Sequence, residues 1–125
     1  MKNFTLAIIA LIINASAIAQ AEIKFENTTV SYDDIKVGSD GQRSFVFKNT
    51  GTETLIIEKV VSTGKHIKVI ESRKRIESGS SDQIKIIYDT KVPGPIRRTI
   101  TLYSNAANQP VAALKVKGNV VKEKP

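Results

Sequence analysis

The densest run of side chains able to do chemistry lies between residues 65 and 75, where Lys65, His66, Lys68, Arg73, Lys74 and Arg75 meet only Glu71 in opposition. Arg97 and Arg98 add to the same field if the fold brings them near. Guanidinium groups hold carboxylate or phosphate oxygens through paired hydrogen bonds and ammonium groups act as point charges, so the chemistry open to this cluster is anion binding. With Ile67, Val69 and Ile70 interleaved, it suits an acidic protein, an anionic glycan or lipid headgroups. Stacking aromatics are missing from the run, which disfavours nucleic acid. The plainer alternative is a solvated charge run that keeps an edge strand from pairing with other chains.

Most catalytic chemistries are closed. The chain has no cysteine, which removes thiol nucleophiles, disulfides, thiolate metal sites and a lipidated N-terminal cysteine. His66 is the single histidine, so a zinc site would have to be built almost wholly from carboxylates, and one imidazole at most can serve as a base. Ser72, Ser78, Ser80 and Ser81 stand in no nucleophile-elbow motif. Carboxylates occur as the Asp33-Asp34 pair and singly at Glu53, Glu58, Glu71, Glu77, Asp82 and Asp89. A glycosidase needs two of them at a defined separation across a cleft, and sequence alone does not bring two together. Asp33-Asp34 lacks the regular oxygen-ligand spacing of a calcium loop. No catalytic residue, metal ligand or cofactor is assigned.

The elements that must position these residues are strands. Short runs rich in Val, Ile, Thr, Phe and Tyr alternate with Gly, Asn, Asp, Ser and Pro, the pattern of an all-β sandwich or barrel. Strands are predicted at residues 23–25 with 29–32, and at 43–48, 54–61, 67–70, 83–88, 97–103 and 111–117, with no helical periodicity anywhere from residue 20 onward. Alternation places Phe45 with Phe47, Ile84 with Ile86 and Tyr88, Ile100 with Leu102, and Leu114 with Val116 on inward faces, which makes them the predicted core. Ser39-Asp40-Gly41 and Asn49-Thr50-Gly51 read as turns, each with a capping side chain and a glycine able to take positive φ. Pro93-Gly94-Pro95 reads as a break, and residues 77–81 as a polar loop.

Ahead of this domain, Lys2, an apolar run over residues 4–13 and small residues at Ala15, Ala17 and Ala19 have the pattern of a cleaved secretory signal. The run is too short to span a bilayer, which takes roughly 20 apolar residues. Residues 1–19 are therefore expected to be removed, with Gln20 as the new N-terminus, residues 20–120 as one domain and residues 121–125 as a charged, fraying tail. Ala17 and Ala21 are also acceptable last residues of the signal. The protein is expected to be exported, periplasmic or secreted, with no transmembrane segment in its mature form. A formal net charge of +7 falls by one to +6 without Lys2, enough to favour anionic surfaces but not the density of a dedicated nucleic-acid binder.

Tyr32-Asp33-Asp34-Ile35, the run from Phe45 through Gly51, Leu55-Ile56-Ile57 and the run from Ile84 through Thr90 together resemble a family of bacterial secreted domains of unknown function. Gly94, the run from Thr99 through Asn105, and Leu114-Lys115-Val116-Lys117-Gly118 extend the resemblance over essentially the whole exported part. It implies an immunoglobulin-like antiparallel β-sandwich of about seven to eight strands, similar to Hydin-type and major-sperm-protein-type domains. The family carries a Ser-Cys-Gly-Cys segment where this chain has Ser62-Thr63-Gly64-Lys65. Any redox or metal role of that cysteine pair is absent here, so the resemblance implies a fold and a location and no chemistry.

The expected function is that of a non-enzymatic exported domain that recognises an envelope protein or surface glycan through strand edges and end loops, as a monomer or weak homo-oligomer. Residues 38–42, 50–53, 62–66 and 104–110 are the loops expected to give selectivity. Two alternatives are a small envelope-polymer hydrolase using a carboxylate pair, and an anion- or glycan-binding module using the basic cluster.

Overall fold

A computed structural model describes residues 18–122. The signal expected over residues 1–19 lies outside the described residues except for its last two, as do residues 123–125 of the tail. Nine strands build the described part: β1 (Ile23–Phe25), β2 (Thr29–Lys36), β3 (Gln42–Asn49), β4 (Leu55–Ser62), β5 (Ile67–Glu71), β6 (Arg75–Ile76), β7 (Ser81–Tyr88), β8 (Gly94–Ser104) and β9 (Val111–Val121). A four-stranded sheet in the order β1-β3-β7-β5 packs on a five-stranded sheet in the order β2-β9-β8-β4-β6. The immunoglobulin-like sandwich is as expected.

Period-two patterning explains the packing. Phe45, Phe47, Ile84, Ile86 and Tyr88 of one sheet meet Ile100, Leu102, Leu114 and Val116 of the other, all at most 4% exposed. Burying such a side chain contributes about 1.5–3 kcal/mol. All nine predicted core residues are inside, joined by Ile23, Leu55, Ile96 and Val120 among others.

Four expectations are corrected. The strand count is nine, because the two residues of β6, preceding the expected loop, pair with Leu55 and Ile56 of β4. One pairing is parallel: β2 runs beside β9, with Thr29 opposite Lys115 and Ser31 opposite Lys117. Strands also run further than alternation suggested. Gly94 and Pro95 begin β8 opposite Val120 and Asn119 rather than breaking the chain, and β9 reaches Val121, whose carbonyl accepts the Val37 N–H at 3.0 Å. Finally, neither Gly41 nor Gly51 takes positive φ. Each is glycine because backbone passes where a Cβ would stand: the Tyr88 carbonyl at Gly41, and the Gln20 carbonyl and Glu22 nitrogen at Gly51.

Asn49 ties the N-terminal end of the sandwich together. Its side chain, fully buried, accepts from Gly51 N–H at 3.0 Å and, at 3.4 Å, from Glu22 N–H, while Nδ2 donates to the carbonyls of Glu53 at 2.8 Å and Ile76 at 3.0 Å. The β3–β4 turn and β6 are thereby held by one amide, with a longer contact to the residue preceding β1.

Candidate functional site

A sandwich interacts through its edges, its loop ends or its outer faces. Three of the edges are guarded. The Asn108 side chain lies against β1, donating to Ile23 O at 2.8 Å and accepting from Ile23 N–H at 3.0 Å, so it occupies the place of a neighbouring strand. Strand β2 carries a bulge between Ser31 and Asp34, with Asp33 at φ 52° and exposed carboxylates at Asp33 and Asp34. Strand β6 is two residues long. Bulges, inserted charge and brevity are the usual means of blunting an edge.

The remaining side is open. Bonded and non-bonded pairs alternate along an antiparallel ladder. The Asp89 N–H donates to the His66 carbonyl at 2.7 Å. With Ile67 opposite Tyr88 and Val69 opposite Ile86, the backbone groups of Ile67 and Val69 therefore point away from β7. On β4, Thr63 N–H donates to Thr99 O at 3.0 Å, and with Val60 opposite Leu102 and Ser62 opposite Ile100, the backbone groups of Val60 and Ser62 point away from β8. These two outward edges, one from each sheet, flank a groove of about 320 Å³ whose lining includes Val60, Val69, Ile70, Glu58, Glu71 and Lys74. Val60 and Val69 are half-buried, whereas Ile70 is 43% exposed. The bulges of β4 and β5, at Glu58 and Ile70, both fall on this groove.

At one end of the sandwich is a larger open cavity of about 640 Å³, lined by Ser39, Asp40, His66, Lys68, Asp89 and Lys91 among others, with Tyr88 in its floor. Tyr88 belongs to a group of rings: Tyr32 lies 6.0 Å from it, tilted by 52°, and His66 meets it edge-on at 6.4 Å. Arg43 sits 4.5 Å over the Tyr32 ring, and the Tyr32 hydroxyl donates to Gly41 O at 2.6 Å. Burial pushes the Tyr32 phenol up to about 12; Arg43 acts in the opposite sense, and Asp40 and Tyr88 add to the rise. His66 is held at φ 70°, a conformation costing a non-glycine residue roughly 1–2 kcal/mol. Its carbonyl bond to Asp89 and the clasp of Arg98, whose Nε donates to Lys65 O at 2.9 Å, keep it there.

The basic cluster divides into three. Lys65, His66 and Lys68 stand by the end cavity, and Arg98 packs beneath them, 5.8 Å from the Tyr88 ring. Arg73, Lys74 and Arg75 lie at the other end of β5, about 17 Å away at strand spacing, with Arg73 Nε 3.6 Å from Asp82 and Arg75 on β6. Arg97 is on the outer face of the five-stranded sheet, opposite Lys117. Sequence proximity grouped charges that a strand and a sheet separate.

The carboxylates are equally dispersed. Asp40 and Asp89 are the pair that the end cavity brings together, and each caps its own loop, accepting from Gln42 N–H and Lys91 N–H at 3.0 Å. Among the described residues no group of three His, Asp or Glu side chains is placed to hold a metal ion, and no helix is long and apolar enough to cross a membrane.

Two layers in this strand order, with an N-terminal segment split between the sheets and a parallel β2–β9 pairing, define an immunoglobulin-like sandwich. Residues 23–120 match the family described as "Protein of unknown function (DUF1573)", and the chain belongs to it. No curated protein matches the chain. A protein of unknown function from Porphyromonas gingivalis W83 is similar in structure, with a TM-score of 0.74 and 20% identity over 86% of this chain and 50% of that one. The PapD-like domain 7 of human CEP192 follows at 0.64 and 10% identity, covering 87% and 92% of the two chains. The Pseudomonas aeruginosa CupB2 chaperone is similar at 0.58 and 10%, over 78% and 55%. This chain therefore spans about half of the first and third of these proteins, and identities this low define the fold alone.

Proposed function

We propose that this chain is an exported, non-enzymatic binding domain that takes an extended segment of another envelope protein along its open β4–β5 side. The observation that carries the proposal is the pair of outward backbone edges, at Val60 and Ser62 and at Ile67 and Val69, facing a groove with half-buried valines. Unpaired N–H and C=O groups accept a partner backbone, and alternate apolar positions accept its side chains. The groove is near charge balance, with Glu58 and Glu71 against Lys59 and Lys74, which suits an apolar, largely uncharged strand rather than a charged ligand. Similarity to a chaperone of this fold is compatible with binding another chain. The loop at residues 62–66 joins β4 to β5, and in this reading its side chains help select the occupant.

Export rests on the N-terminal pattern. Gln20 and Ala21 belong to the folded domain: the Gln20 carbonyl accepts Thr52 N–H at 2.9 Å, and buried Ala21 accepts Ala107 N–H at 2.8 Å. Processing after Ala19 keeps both, whereas processing after Ala21 removes a core residue.

A photo-crosslinking side chain at Val60 or Ile70, both lining the groove, compared with one at Val111 on the outer face of the five-stranded sheet, tests the proposal in intact cells. One defined partner segment reached from both Val60 and Ile70 and not from Val111 is expected. Equal capture from Val111, or no adduct from either groove position, overturns it.

A further inference from the structure

The outer face of the five-stranded sheet carries a second, differently built surface. The register fixes its rows across β2, β9, β8 and β4: Ser31, Lys117 and Arg97; then Thr29, Lys115 and Thr99; then Ala113, Thr101 and Val61; then Val111, Tyr103 and Lys59. Lys115, Lys117, Arg97 and Lys59 are exposed. Two carboxylates reach this face: Asp34, in the row beyond Lys117, and Asp33, in the β2 bulge, whose Oδ1 accepts from Ser31 Oγ at 2.9 Å. Neither salt bridge found among the described residues involves these cations.

Arg97 and Lys117 are placed where repulsion is strongest. Ser104 N–H donates to Pro110 O at 3.0 Å, which fixes the alternation along β8 and β9 and makes Arg97–Lys117 and Thr99–Lys115 non-hydrogen-bonded pairs. Such pairs have Cα atoms about 4.5 Å apart and side chains close together. Like charges directly opposite destabilise a sheet, and Lys115, two residues along, adds a third cation within about 7 Å. Beside them stand hydroxyls: Thr29, Ser31, Thr99, whose Oγ1 accepts from Lys115 Nζ at 3.3 Å, and Thr101. At the far end the half-exposed Tyr103 ring lies under Lys59 Nζ at 4.7 Å.

We propose that this face binds an anionic polysaccharide. Arg97, Lys115 and Lys117 take its acidic groups, which relieves their mutual repulsion; Thr29, Ser31, Thr99 and Thr101 bond its hydroxyls; and Tyr103 packs against the apolar face of a sugar ring. None of the concavities described above lies on this face, so an extended polymer fits it better than a compact ligand. The nearest neighbours of the three clustered cations are hydroxyls and the Asp33 and Asp34 carboxylates, while the exposed Val61 and Val111 and the half-exposed Tyr103 stand in the farther rows. Apart from Lys59, which also lines the β4–β5 groove, the surface is distinct from that groove and does not depend on the function proposed for it.

The test is retention of the purified protein by immobilised polygalacturonate, with neutral dextran and phosphatidylglycerol vesicles as parallel probes. Salt-sensitive binding to polygalacturonate and none to dextran is expected. The double variant Arg97→Gln/Lys117→Gln weakens it at least about tenfold, with a urea midpoint equal to or above that of the parent because a repulsive pair is gone. Lys65→Gln/Lys68→Gln, with the same loss of charge at the end cavity, changes it less than about threefold. Equal loss in both double variants, absence of polygalacturonate binding, or binding to the vesicles in its place overturns the proposal.

Discussion

Replacing Asn49 by alanine is expected to destabilise the domain by about 4 kcal/mol. The side chain is 0% exposed, and three of its four hydrogen bonds are 3.0 Å or shorter. The bond to Ile76 O is buried, so its loss strands an acceptor that water does not reach, about 2 kcal/mol. The bonds to Glu53 O and from Gly51 N–H are part-buried and contribute about 1 kcal/mol each. The long contact from Glu22 N–H, at 3.4 Å, adds little. Domains of this size are stable by about 5–15 kcal/mol, and with a urea m-value of about 2 kcal/mol per molar the midpoint falls by about 2 M. The assay is equilibrium urea unfolding followed by circular dichroism. Asn49→Asp keeps the acceptor for Gly51 but turns two donations into contacts between a carboxylate and the Glu53 and Ile76 carbonyls, so at neutral pH it is less stable than Asn49→Ala. A loss under about 1 kcal/mol for Asn49→Ala, or an Asn49→Asp variant more stable than Asn49→Ala, refutes the reasoning.

Two further outcomes are expected. Tyr32 titrates near 10 in the unfolded chain and at about 12 when folded, so between those values the unfolded state binds fewer protons and stability falls as pH rises, by up to about 2.7 kcal/mol in total. In Tyr32→Phe the slope of stability against pH over that window is shallower by as much as one proton; an unchanged slope sinks the assignment. Mass spectrometry of protein recovered from the cell exterior or periplasm should find Gln20 at the N-terminus, and a chain starting at Glu22 contradicts the placing of Ala21 in the core.

The sheet interiors were legible in the sequence because burial on one face of a strand imposes a period of two, and Phe45-Val46-Phe47, Ile84-Lys85-Ile86 and Leu114-Lys115-Val116 display it without reference to any neighbour. Side-chain caps at Asp40 and Asn49 were legible for the same local reason. Strand pairing was not. The parallel contact of β2 with β9 joins residues more than eighty positions apart, and β6 is too short to carry a pattern of its own. The role of Gly41 and Gly51 was misread as positive φ, because close approach by a distant backbone leaves no local mark.

The candidate surfaces divide in the same way. Sequence alone determined that the chain has no thiol chemistry, a single imidazole, an excess of positive charge and strands with one greasy face, since these follow from residue identity and nearest-neighbour spacing. Only the tertiary structure decided where charge collects. It dispersed the run from Lys65 to Arg75 to the two ends of a five-residue strand, and it set Arg97 against Lys117, twenty residues along the chain, through the β8–β9 register. The alternation Lys115-Val116-Lys117 announced one cationic face, yet which strand lies beside it depends on the hydrogen-bond ladder. Electrostatic fields add over space and not along the chain, and that sum is defined only when the sheets have closed.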